Sequence, residues 1–132
     1  MTTSSPQEYR DPVDRVQAYR LGLEAMRDAK VDAGRMAGDP LYLGVAEQLV
    51  RAAGSISANI AEGYSRGTVP ERRKFFEYAL GSTRECIVWY ETSALLAYEE
   101  RTARLVSIRR LLLTMIRTCR ESIARDTRGF TK

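Results

Sequence analysis

Residues 39–91 read DPLYLGVAEQLVRAAGSISANIAEGYSRGTVPERRKFFEYALGSTRECIVWYE. Tyr42, Ala46, Leu49, Val50, Ala53, Ile56 and Ile60 recur there at steps of three and four, the period of one helical face. The stripe runs into Gly63, and Gly67 marks a break. Thr68-Val69-Pro70-Glu71 then fits a capping box, in which the threonine hydroxyl and the glutamate carboxylate satisfy free backbone donors reciprocally. A further stripe, Phe75, Phe76, Ala79, Cys86, Ile87, Tyr90, Ala94 and Ala97, carries the next helix to about Tyr98. Two amphipathic helices joined this closely pack antiparallel.

The same reading extends outward. Asp39-Pro40 and Asp11-Pro12 each pair an N-cap acceptor with proline at a first helical position. Val13, Val16, Tyr19, Leu23, Met26 and Ala33 draw a helix between Asp11 and Gly34–Gly38. Glu99-Glu100-Arg101-Thr102 has no apolar period and reads as a short connection. Leu105, Ile108, Leu112, Met115, Ile116, Cys119 and Ile123 then mark a last helix that stops near Gly129. Residues 1–10 are polar and aperiodic, the composition of a flexible arm. The expectation is all-α: one domain over residues 11–132, an antiparallel up-down-up-down four-helix bundle.

The 132 residues are 44% hydrophobic and 29% charged, an ordinary globular composition. Histidine is absent. That removes the usual general base, the Ser-His and Cys-His nucleophile pairs, and the Glu-x-x-His ligands of di-iron bundles. No glycine precedes a lysine, so no phosphate-cradling P-loop exists, and no glycine pattern follows a strand. Glu62 and Glu85 are the carboxylates nearest apolar segments, yet nothing in the sequence pairs them for acid and base work. Cys86 and Cys119 fall on apolar stripes and read as reduced, buried small residues and not as metal ligands. A non-enzymatic protein without metal or cofactor is expected. No apolar leader or membrane-length stretch is present, which places the expectation in the cytoplasm, away from membranes.

Two features remain once the core is built. Gly81, Val88 and Leu95 are spaced by sevens on the third helix, away from its main stripe, and Leu113 sits amid the polar side of the fourth. Scattered surface aliphatics would look the same, but together these positions point to a homo-oligomer interface. Charge is also uneven. Residues 101–132 hold eight arginines and one lysine against Glu121 and Asp126, whereas residues 1–100 hold twelve basic and fifteen acidic side chains. Arg109, Arg110, Arg117, Arg120 and Arg128 lie within roughly 100° of arc, opposite the apolar stripe of the last helix. Such a face is either a solvated exterior or a phosphate-binding surface for RNA or single-stranded DNA.

The words Arg51-Ala52-Ala53, Ser55-Ile56, Ala58-Asn59-Ile60-Ala61-Glu62-Gly63, Arg66, Phe76 and Ala79-Leu80-Gly81-Ser82 with Glu85 resemble the small bacterial four-helix-bundle or S23 family, the 23S rRNA-intervening-sequence proteins. Ser57, Gly54 and Cys86 depart from its pattern, which often has proline, a larger aliphatic and leucine there. The resemblance implies a four-helix protomer assembling into a homopentamer with no known catalytic activity. Relatives of similar fold serve diversity-generating retroelements, where a basic pentameric barrel binds nucleic acid and a reverse transcriptase. By that resemblance this chain is expected to be a nucleic-acid-binding scaffold or accessory protein, with a purely protein-binding scaffold as the alternative. Arg51, Ser55, Asn59, Glu62, Arg66 and Glu85 are then read as a structural polar network orienting the second helix, against the simpler reading of local pairing along its surface.

Overall fold

The computed structural model describes residues 11–93 and 98–130. A 3₁₀ turn, Pro12–Arg15, leads into α1 (Gln17–Met36), α2 (Leu43–Tyr64), α3 (Val69–Thr92) and α4 (Tyr98–Phe130), and no strand occurs among the described residues. Each helix packs on its neighbour in the chain, and α4 returns against α1 to close the four-helix bundle. The N-terminal arm read over residues 1–10, and Ala94, Leu95 and Ala97, lie outside the described residues.

The two Asp-Pro signals open turns where α-helices were expected. The Asp11 carboxylate accepts from Val13 N at 3.0 Å, and Asp11 N from the other side donates to Asp14 at 3.3 Å, completing a capping box. The bonds that follow are of the i→i+3 type, and Val16 is extended (φ −76°, ψ 115°), so α1 begins only at Gln17. Asp39 likewise accepts from Leu41 N at 3.0 Å through its side chain and from Tyr42 N at 2.9 Å through its carbonyl. With Asp at the first position and Pro40 at the second, this is turn chemistry, and α2 starts at Leu43 without a side-chain cap. Thr68 does cap α3, accepting from Glu71 N at 3.4 Å.

Two boundaries shift at the other end. Helix α3 stops at Thr92, where Ser93 turns extended and its N–H bonds to the Tyr90 carbonyl, several residues short of Tyr98. Residues Glu99–Thr102, expected as a link, form the first turn of α4, where Glu99 and Glu100 complement the positive end of the helix dipole.

Most large core side chains come from three helices: Leu49, Ile56 and Ile60 of α2, Phe76, Ile87 and Tyr90 of α3, and Leu105, Ile108, Leu112 and Ile116 of α4. Helix α1 instead buries mainly small residues, Ala18, Gly22, Ala25, Ala29 and Ala33, with Asp32 and Met36 in its last turns, while Val16, Tyr19, Leu23 and Met26 of the expected stripe are only half-buried. Small residues let α1 lie close to α2. A Cβ on Gly22 would stand 2.3 Å from Ser57 Oγ, and that hydroxyl donates to the Tyr19 carbonyl at 3.0 Å. Gly63 plays the same part between α2 and α3, where a Cβ would meet Phe76 at 2.9 Å.

Candidate nucleic-acid interface

The polar side of α4 faces outward along the length of the bundle. Arg110, Arg117, Arg120 and Arg128 are exposed and Arg109 is half-buried. Arg120 Nη2 reaches Glu77 Oε1 of α3 at 2.8 Å, which ties the two helices together. Arg117 stands 3.9 Å from Glu121, one turn on. Arg109 and Arg110 have no ion-pair partner among the described residues. Leu113 lies within this face and is 43% exposed; on α3, Val88 is 52% exposed and a Cβ on Gly81 would meet open space.

Two other arginines of α4 turn the opposite way. Arg101 Nε donates to the Asp32 carboxylate of α1 at 2.8 Å, and Arg101 Nη1 lies 3.4 Å from Asp28. Arg104 also pairs with Asp28, and stands 3.6 Å from Glu24. Asp32 is only 2% exposed. Burial pushes its carboxyl up, but hydrogen bonds from Arg101 and Tyr90 outweigh that and hold it below the usual carboxylate range. The basic last quarter of the chain therefore divides: Arg101 and Arg104 neutralise an acidic row on α1, and the arginines beyond residue 108 carry the outward field. Sequence reading passed over this clamp, although Glu24, Asp28 and Asp32 at steps of four would repel one another in an isolated helix and so signal a cationic partner.

The motif residues of α2 share one flank, facing α3. Ser55 Oγ donates to Ser82 Oγ at 2.6 Å or to the Ala52 carbonyl at 2.9 Å. Asn59 Nδ2 donates to the Ser55 carbonyl at 2.8 Å, and Arg66 pairs with Glu62 at 2.8 Å. Arg66 also lies 4.8 Å from the Phe75 ring centre, which meets Tyr78 edge-on. Glu85 accepts from Trp89 Nε1 at 3.1 Å and not from Arg66, and Arg51 is exposed on the same flank. Among the described residues, Ser55 and Ser82 give the one side-chain to side-chain hydrogen bond from this row that crosses between helices. Neither Glu62 nor Glu85 is enclosed, as both are exposed.

Residues 42–117, which span α2, α3 and the first part of α4, match the 23S rRNA-intervening sequence proteins. The chain belongs to the 23S rRNA-intervening sequence protein family. Arg120 and Arg128 lie beyond the stretch matched to that family. In fold the chain resembles a protein of unknown function from the S23 ribosomal protein family of Bacteroides thetaiotaomicron, with a TM-score of 0.70 and 21% identity over 75% of this chain and 97% of that one. Among curated proteins, none matches the chain significantly in sequence. No helix among the described residues is long and apolar enough to cross a membrane.

Proposed function

We propose that this member of the 23S rRNA-intervening sequence family is a non-enzymatic, cytoplasmic, homopentameric scaffold that binds RNA or single-stranded DNA through α4, as an accessory protein to a partner such as a reverse transcriptase. The observation that supports it is the row of exposed arginines on α4, with Arg110 free of any acidic partner among the described residues. Arginine grips phosphate bidentately, and repetition around a ring multiplies the contacts. Leu113 occupies the same face, between Arg109 and Arg120 on one side and Arg110 and Arg117 on the other. A subunit contact at Leu113 that takes up the Arg109 and Arg120 side of the face leaves Arg110, Arg117 and Arg128 on the other side to meet the phosphates.

The test is a titration of labelled single-stranded oligonucleotide at several salt concentrations. Log K is expected to fall linearly with log salt, with a slope of about −0.7 for each phosphate neutralised. Changing Arg110, Arg117 and Arg128 together to glutamate weakens binding and flattens the slope, whereas lysine at the three positions is milder. A wild type that does not bind at low salt overturns the proposal.

A second reading, a scaffold that binds only protein, draws on the intrachain pairs of Arg120 with Glu77 and Arg117 with Glu121. It predicts a purified protein free of nucleic-acid absorbance and a glutamate variant indistinguishable from wild type in the same titration.

A further inference from the structure

The start of α1 leaves part of the bundle unfilled. The Arg101–Asp32 and Arg104–Asp28 pairs fix the register of α4 against α1. Both helices rise 1.5 Å per residue, so Gln17 falls level with roughly residue 116 of α4. The last turns of α4 continue beyond that level beside the start of α3, to which Arg120 and Glu77 bind them. Where a longer α1 would lie, the chain has already become a 3₁₀ turn, and a groove of about 510 Å³ opens instead.

The groove is amphipathic. Val16, Val69, Phe76, Met115 and Cys119, all buried or half-buried, line its interior. Tyr64, Arg72 and Arg125 line it as exposed residues, and no acidic residue lines it. Arg72 uses Nε on the Arg66 carbonyl at 2.9 Å, which leaves its terminal nitrogens to a ligand; Arg125 has no ion-pair partner among the described residues. A positive field reaches the interior: burial pushes the Cys119 thiol up, while Arg72 and Arg73 act against that rise. The volume lies within the range of sites that enclose a small organic molecule, and an apolar lining with a few convergent polar groups is the usual makeup of such sites.

We propose that this groove binds a single monomeric amphipathic anion, its hydrocarbon body on Val69, Phe76 and Met115 and its carboxylate or phosphate on Arg72 and Arg125. The site is separate from the outer arginine row of α4, since neither Arg72 nor Arg125 belongs to that row. The two cations select against a neutral or cationic headgroup, and the apolar interior selects against a small inorganic anion.

Isothermal titration of the full chain with dodecanoate and with dodecyl phosphate, below their micelle concentrations, tests the site. Saturable binding of one molecule per chain is expected. The Arg125→Gln variant should bind about tenfold more weakly, the worth of one charge-assisted contact, and dodecanol, which forgoes both arginines, about a hundredfold more weakly. Thr118→Trp, which fills the groove from an exposed position, should abolish binding while the helical signal and melting temperature stay near wild type. Ligand should slow the reaction of Cys119 with a thiol reagent and leave Cys86 unaffected. Arg110→Glu should bind both probes as wild type does, so a failed oligonucleotide titration leaves this result standing. Equal affinity for dodecanol, unchanged binding by Thr118→Trp, or no saturable binding overturns the proposal. Sedimentation with phosphatidylglycerol vesicles but no binding of the monomeric probes also overturns it, and assigns the surface to a membrane.

Discussion

Tyr90 and Asp32, 58 residues apart in the chain, meet in the core, where the tyrosine hydroxyl donates to the carboxylate at 2.6 Å. Arg101 completes the arrangement from α4, so one buried carboxylate joins three helices. Burial, then the bond to Asp32, pushes the Tyr90 hydroxyl above the ordinary phenol range, which keeps it a donor at any physiological pH.

Breaking this clamp removes the tightest ion pair of a buried network. Asp32→Asn takes from the half-buried Arg101 guanidinium its tightest partner, leaving Asp28 at 3.4 Å, and should destabilise the fold by about 3 kcal/mol, the low end for a broken buried pair. Tyr90→Phe removes one donor and should cost about 1–3 kcal/mol. Chemical unfolding of the three proteins at neutral pH checks the order.

The pH dependence has a definite sign. Asp32 is held below its unfolded value, so the stability it contributes is fully present above the unfolded pKa and is lost as pH falls through the folded one. The gap in melting temperature between wild type and Asp32→Asn should stay level from neutral pH to about pH 5 and shrink below about pH 4. A gap that widens in acid contradicts the assignment.

Helix α1 shows where sequence reading reaches and where it stops. Period alone placed four helices, because Leu49, Ile56, Ile60, Ile108 and Leu112 are large and regularly spaced and all are fully buried. The same period misjudged α1, whose buried face is mostly alanine and glycine up to Asp32 and Met36, while Tyr19 and Met26 stay half-exposed. An apolar pattern counts large residues; it does not register a helix that packs by being thin. The Asp-Pro pairs misled for a related reason, since an aspartate that caps a helix also closes a turn, and only the backbone beyond it decides which. On the candidate interface, the arginine row was visible in the sequence, but its division into Arg101 and Arg104 facing inward and Arg110 and Arg117 facing outward depends on α4 lying beside α1.

Gly22 and Ser57 carry the close approach of α1 to α2. Gly22→Ala places a methyl group 2.3 Å from Ser57 Oγ before relaxation, within a backbone-bound pair, and should destabilise by about 1–3 kcal/mol despite alanine's better helix propensity. Ser57→Gly in the same chain removes the obstacle and should recover part of the loss. A single variant as stable as wild type would place the two helices further apart than described.

Cys86 and Cys119 differ in setting. Burial, then Glu85, pushes the Cys86 thiol up to about 12, and the residue sits in the core. Cys119 is raised too, but it lines the groove beside Arg72. Both should label slowly in the native state and fully after denaturation, with Cys119 the faster of the two. Mass spectrometry of partly labelled protein distinguishes them, and Cys86 modified first would contradict this order.

Val88 and Leu113 carry the expectation of self-assembly. Both are aliphatic, and both stand in the open on the single chain, 52% and 43% exposed. Glutamate at either position therefore costs a monomer little, because the new carboxylate stays in water. In an oligomer that covers them, the same change buries an unpaired charge at every subunit contact. Val88→Glu and Leu113→Glu should accordingly reduce the mass measured by light scattering to that of a monomer while leaving the helical signal and thiol protection intact. That combination separates assembly from folding, since a core defect would disturb all three measurements together. If wild type is already monomeric at micromolar concentration, or if both glutamate variants assemble as it does, the α3–α4 face is ordinary surface, and the phosphate contacts of α4 then act without the multiplication that a ring provides.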